Sequence, residues 1–360
     1  MKKRLIAWMA IIVVISLVVG IGFATAQSAS KRKPYHIEIR GARFGGTAYI
    51  MAFAASDILN KKSSWVRASA LEAVGGGVEN IKVVGSDKKK KARSILMCDA
   101  DMFSFARIGK PPFDKKPELY KDLMVVREEG IAIHLYLTLD PNIKNITDLK
   151  GKRFATWPKG TLKHMIHVHA VGGAGEEVLN TIKWQHAAYG GFDDLLLGKV
   201  DVVFGFANDV GTGYALTPAV KELIMKAKGQ GREVYVIGFT PEQRARSAEL
   251  YGENWGVSAM LAPDSLGPGF PPKDIITTTT ALCWAAYPEM PEDVVYEIVK
   301  ILDENSKMFL DYHPTGGGLR SDYAGLFPQP KNLWHPGAKR YFEEKNIPYG
   351  VEYWREKRGK

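Results

Sequence analysis

The 360-residue chain holds only two cysteines, Cys98 and Cys283. Two cysteines are too few for a disulfide scaffold, and they form no Cys-X-X-Cys unit for thiol redox work or zinc. A distant pair is either one bridge, where the compartment oxidises, or two small buried hydrophobes. The chain also lacks His-Glu-X-X-His, a nucleophile elbow, a P-loop and the dinucleotide fingerprint. Asp193 and Asp194 are adjacent, so their carboxylates diverge on a helix. No internal repeat, low-complexity tract or basic stripe interleaved with aromatics is present, which removes solenoids and nucleic-acid readers. An exported enzyme therefore has no residues to stand on.

What is present is a globular composition, 46% hydrophobic and 24% charged. The length suffices for two domains with real cores. Formal net charge is +10, and three of the cations are Lys2, Lys3 and Arg4. Without them 46 of the 49 basic residues stand against 39 acidic ones. That excess suits anionic lipid, nucleic acid or small acidic ligands. Lys88 to Lys91 form the longest basic run and read as a solvated turn or helix end.

Residues 1–26 read as a signal peptide. Met1 to Arg4 is the charged region, Leu5 to Gly22 the apolar one, and Ala24-Thr25-Ala26 the small-residue cleavage site. Cleavage there starts the mature chain at Gln27, exported to the periplasm. The apolar run also has the length of a membrane anchor, so retention of the leader stays open.

The mature chain is organised around Arg43-Phe44-Gly45-Gly46-Thr47-Ala48-Tyr49. His36 to Arg40 alternates as a strand, and Met51, Ala54, Ala55, Ile58 and Leu59 fall on one helical stripe. The glycines thus sit where a strand becomes a helix, with Thr47 as the expected cap. Free N–H groups and the positive dipole end there favour an anion; a plain turn is the competing reading. A second glycine turn, Gly75 to Gly77, follows the expected strand Trp65 to Leu71. Ile95 to Phe105 reads as a strand carrying Asp99 and Asp101 on one solvated face. Ile131 to Leu139 reads as another.

A second such unit begins at Phe154-Ala155-Thr156, then Trp157-Pro158-Lys159-Gly160-Thr161. Thr161 is the expected helix cap. A lysine beside a helix N-terminus is unfavourable unless an anion lies between them, so Lys159 either holds one or points to water. His164, His167 and His169 follow, but three ligands on one helix turn do not converge, and no metal is expected. Further expectations are a helix at Phe192 to Leu197, a strand from Lys199 to Phe206 followed by a polar turn from Asn208, a helix at Pro218 to Ala227 and a strand at Glu233 to Phe239. Thr277 to Ala286 is extended, Val294 to Leu310 a long helix, and Lys339 to Lys345 the last helix. Alternating strands and helices imply parallel α/β layers.

Several segments together resemble the TAXI group of solute-binding proteins, which serve tripartite ATP-independent periplasmic (TRAP) transporters. They are Gly45-Gly46-Thr47-Ala48-Tyr49, Gly76-Gly77-Val78-Glu79-Asn80-Ile81, Asp148-Leu149-Lys150-Gly151-Lys152-Arg153, Gly160-Thr161, Leu197-Gly198-Lys199-Val200-Asp201 and His335-Pro336-Gly337-Ala338. The resemblance implies a two-lobe α/β binding protein, each lobe a mostly parallel sheet flanked by helices, joined by two crossing strands. Lobe 1 would take residues 27–137 and 280–360, and lobe 2 residues 138–279. It implies a monomer without cofactor that hands a small organic solute to TRAP membrane subunits. Two departures matter. Lys159 stands where the family usually has serine, and Ser104 to Ile108 replaces a stretch that tends to carry Gln and Asp. The pocket expected here is therefore cationic and aromatic: Arg43, Phe44, Gly45, Gly46, Thr47, Tyr49, Trp157, Lys159, Gly160, Thr161, Phe206 and Asn208. Its expected solute is a carboxylate or dicarboxylate, with an apolar or aromatic body. A binding protein of an ABC transporter, or a sensor on the same fold, is the alternative.

Overall fold

The computed structural model describes residues 32–159, 161–186, 191–210, 213–251 and 257–358. The leader, Gly160 and two residues of the polar turn (Gly211 and Thr212) lie outside the described residues. Eleven strands are β1 Tyr35–Arg40, β2 Val66–Leu71, β3 Ser94–Asp99, β4 Met124–Thr138, β5 Arg153–Thr156, β6 Lys183–His186, β7 Val203–Asp209, β8 Tyr214–Leu216, β9 Tyr235–Ile237, β10 Val257–Leu261 and β11 Ile275–Ala286. The helices of eight residues or more are α1 Thr47–Lys62, α2 Gly76–Gly85, α3 Ala100–Ile108, α4 Leu162–Gly172, α5 Pro218–Gly229, α6 Pro241–Tyr251, α7 Glu292–Glu304, α8 Pro336–Glu344 and α9 Val351–Arg358.

Two long strands make the molecule. The chain crosses from the first lobe to the second along β4 and returns along β11, antiparallel to it from Ala286↔Met124 to Thr279↔Ile133. In the first lobe β11 pairs β3, and β3, β1 and β2 continue the sheet in parallel. In the second lobe β10 takes over β11, while β7 and β9 flank the far half of β4. The result is an α/β two-lobe fold in which β5 and β6 pair as a separate two-stranded sheet and the other nine described strands form one sheet. That sheet is mixed, which corrects the expectation of mostly parallel lobes. Crossing strands that run out and back must be antiparallel to each other, and each imposes that sense on the strands it pairs outside its own crossover units.

Local chemistry explains the elements. Ile37 and Ile39 of β1 are buried, as are Met51, Ala54, Ala55, Ile58 and Leu59 of α1, so the alternation and the helical stripe both face the first lobe's core. One apolar cluster fills that lobe and two flank the sheet of the other. In His335-Pro336-Gly337-Ala338 the glycine allows close approach. A Cβ at Gly337 would stand 2.1 Å from the Glu292 carbonyl oxygen, so only glycine lets α8 lie on α7.

Several expectations change. Gly46, not Thr47, occupies the N-cap of α1, and no side chain caps it; Thr47 is the first helical residue. The expected strand Ile95 to Phe105 ends at Asp99, which caps α3 by accepting from the Met102 amide at 3.0 Å. Asp99 and Asp101 are buried, not solvated. The strand expected from Lys199 starts at Val203 and runs on through Asn208 to Asp209. α7 ends at Glu304 and yields to tighter 3-10 turns, and α9 follows the helix expected to be last.

Candidate functional site

Parallel strands β1, β2 and β3 all end at the same edge of the first lobe, where the two glycine turns and the start of α3 gather. Asn80 on α2 binds that edge together. Its Nδ2 donates to the carbonyls of Gly41 at 2.7 Å and Met97 at 3.0 Å, and its Oδ1 accepts from Arg40 Nε at 3.3 Å. From the second lobe α4 faces this edge, and Ile166 of α4 is buried within the first lobe's core cluster. The interlobe cleft is therefore closed down at α4.

Beside the crossing strands lies a small cavity with room for about one water molecule. Asp101 of α3 forms its first-lobe wall. His134 of β4 and Thr278 of β11 form its floor, joined by a 2.6 Å hydrogen bond between His134 Nδ1 and Thr278 Oγ1. His169 of α4 and Arg244 and Ser247 of α6 close it from the second lobe. Ser247 Oγ donates to the His169 carbonyl oxygen at 2.8 Å, which locks α6 to α4. That bond goes to the backbone and not to an imidazole, so a serine, two histidines and an aspartate share one cavity without a nucleophile–base pairing at Ser247.

The electrostatics are those of a dehydrated site. Burial raises Asp99 to about 6. Burial, then the Asp99 charge, holds Asp101 well above the usual carboxylate range, and Arg244 draws it only partly back. Asp101 Oδ1 is buried without a hydrogen-bond partner. Burial pushes His169 down to about 4, helped by His164 and Lys110. The buried acids thus resist ionising together.

Of the twelve residues expected from the sequence, the eleven that are described do not line this cavity. Phe206 comes nearest, its ring 5.8 Å from His134. Asn208 lies further along β7, opposite Ala132. Phe44 and Tyr49 lie with ring centroids 5.1 Å apart and planes tilted by 54° on the first-lobe rim, with Phe44 70% exposed. Arg43, Gly46 and Thr47 are half-buried there, and Gly45 is exposed. Part of this turn's donor set is already taken: Phe44 N–H donates to Glu72 Oε1 at 2.9 Å, and Gly46 N–H to the Arg43 carbonyl at 3.0 Å. On the second-lobe rim Thr161 caps α4 through the His164 amide. Lys159 is exposed and Trp157 half-buried. Gly160 lies outside the described residues. His164 and His186 join this rim, their rings 5.2 Å apart. Burial, then the His186 and Lys159 charges, lowers His164.

Sequence reasoning missed Asp101, His134, Arg244, Ser247 and Thr278. Only the adjacency of His134 to a glycine-broken strand, and of Thr277-Thr278 to its crossing partner, offered a signal, and it needed the pairing of β4 with β11. Among the described residues no group of three or more metal-ligating side chains forms a metal site, and no helix is long and apolar enough to cross a membrane.

A family model described as the NMT1-like family matches residues 39–345, most of the chain and both lobes. The chain belongs to the NMT1-like family. Solved structures similar in outline include MatC from Rhodopseudomonas palustris with bound malate, at 13% identity over 90% of this chain and 98% of that one, TM-score 0.47. Another is the periplasmic binding protein BugD, at 17% identity over 91% and 98%, TM-score 0.46. A third is the aliphatic sulphonate binding protein SsuA from Escherichia coli, at 13% identity over 91% and 97%, TM-score 0.43. Likenesses this distant carry no argument about what this NMT1-like chain binds.

Proposed function

We propose that this protein is an extracytoplasmic solute-binding protein. It captures a small carboxylate or dicarboxylate between its lobes and delivers it to a membrane transporter of the TRAP type. The observation that supports the anionic reading is Arg244, a buried guanidinium that lines the interlobe cavity and brings a positive charge to its wall. A carboxylate entering there gains bidentate, charge-assisted hydrogen bonds in a water-poor site. Lys159 would add positive potential at the mouth. Arg43, Phe44, Gly45, Gly46, Thr47, Tyr49, Trp157, Gly160, Thr161, Phe206 and Asn208 would cover the solute's remaining body. Delivery to a TRAP transporter rests on the TAXI-like segments together with the export leader, and no catalytic arrangement competes with it.

The test is titration calorimetry of the purified protein with a panel of carboxylates, sulfonates, amines and neutral sugars, repeated on Arg244→Met. Arg244→Met is expected to weaken carboxylate binding by roughly ten- to a hundredfold, about 1.5–3 kcal/mol. Its circular dichroism spectrum should match the wild type, which separates lost affinity from lost fold. Equal affinity in the two proteins, or a preference for amines, would remove the anionic reading.

A further inference from the structure

The two cysteines meet. Cys98 of β3 and Cys283 of β11 are direct register partners in the antiparallel pair, and their Sγ atoms stand 3.6 Å apart with both thiols free and buried. Residues directly opposed on antiparallel strands have Cα atoms about 4.5–5.5 Å apart, inside the span of about 4.4–6.8 Å that a disulfide bridges. Side-chain rotation alone can therefore bring the sulfurs into bonding distance. No other cysteine exists to compete.

We propose that Cys98 and Cys283 are a disulfide-forming pair, oxidised as the chain folds in an exported compartment, where the bond staples the crossing strand β11 to the first lobe. The proposal rests on the export reading for where oxidation happens, and on the strand register for whether it can. The co-reactant is a disulfide oxidant. One cysteine thiolate attacks an oxidant sulfur and forms a mixed disulfide, releasing the oxidant's other sulfur as a thiolate. The second cysteine thiolate then attacks the protein sulfur of that bond. The Cys98–Cys283 bond forms and the oxidant leaves as a dithiol, having taken up two electrons and the two thiol protons.

Burial dictates the timing. Both thiols are fully enclosed in the folded chain, and enclosure pushes both up and away from the reactive thiolate. Exchange accordingly belongs to folding intermediates in which β3 and β11 have paired but the helices have not yet closed over them. Once folded, the bond is sealed from reductant. It also fixes the neighbour of Cys98: Asp99 caps the helix that carries Asp101 into the cavity. The bridge closes a loop spanning 185 positions, and long loops restrict the unfolded chain most.

The experiment unfolds and reduces the purified full chain, refolds it in an oxidised/reduced glutathione buffer, and counts thiols in denaturant. The expected result is no free thiol, a mass lighter by two hydrogens, and resistance to dithiothreitol until denaturant is added. Reduced refolded protein should melt lower by about 5 °C or more than the oxidised form. Cys283→Ala should return one free thiol and lose the redox dependence of melting. Two free thiols, or two glutathione adducts, in properly refolded protein would overturn the pairing. In parallel, N-terminal sequencing of protein from the host's exported fraction should begin near Gln27. A chain found only in the cytosolic fraction, with a bridge formed on refolding, would overturn the export reading alone.

Discussion

Asn80 shows what one side chain can carry. It is fully buried, sits in a segment quoted for its resemblance, and ties β1 to β3 by hydrogen bonds to Gly41 and Met97. Asn80→Ala leaves those carbonyls without a donor in a dry interior. It is expected to cost about 2–3 kcal/mol in urea unfolding, with an unchanged slope on denaturant. The sequence marks Asn80 as part of a motif but cannot assign its partners, because they lie on strands up to 40 residues away. The same holds for Asp99 and Asp101. A spacing of two suits one face of a strand, and that reading lost to capping: Asp99 ends the strand by binding the Met102 amide. Asp99 is enclosed within its own lobe beside Gly77, while Asp101 lines a cavity shared with the second lobe's His169 and Arg244, and no local pattern encodes either. Lys159 and Trp157 were legible as members of a strand-to-helix turn, whereas Arg244 was not, since nothing in the local composition of α6 separates it from a surface arginine.

At the level of elements, periodicity reported most helices and strands, since apolar alternation and helical stripes are local. It failed on the near half of β4. Ile131 to Leu139 is legible, yet the strand begins at Met124, and Arg127, Glu128 and Glu129 within it are buried. A charged triplet reads as surface; here the crossing strand runs through the middle of the molecule. Glu129 bears the consequence. Burial raises its carboxyl from 4.5 to about 8. Below its unfolded value both states hold the proton, and across the window up to about pH 8 only the folded state does. Unfolding free energy should therefore fall as pH rises through that window, by at most about 1.4 kcal/mol per pH unit. Asp99, raised to about 6, acts in the same direction over the lower part. Glu129→Gln keeps the shape and removes the charge, so urea midpoints at pH 5 and pH 8 should differ less in the variant. At pH 8 the variant should be the more stable protein. A wild-type midpoint that rises from pH 5 to pH 8 would contradict this assignment.

Across the whole molecule, the crossing strands decide both shape and mechanism. Two antiparallel strands run from core to core, and side chains on those strands form the floor of the cavity between the lobes. The lobes stand packed together at α4; on the proposed function a carboxylate would enter as they part and be enclosed as they return, and enclosure would dehydrate Arg244 and strengthen its grip. The two-lobe class was readable from the order of strands, helices and glycine turns. The position of the cavity was not, because it is made where α3, α4, α6 and both crossing strands converge. The most direct test of this account is a crystal structure of the protein purified from its own host without denaturation. It predicts a small carboxylate between the lobes, its oxygens within hydrogen-bond reach of Arg244 and its body over His134 and Thr278. A cation or neutral solute in that place, or a carboxylate bound outside the cleft with Arg244 untouched, would contradict it.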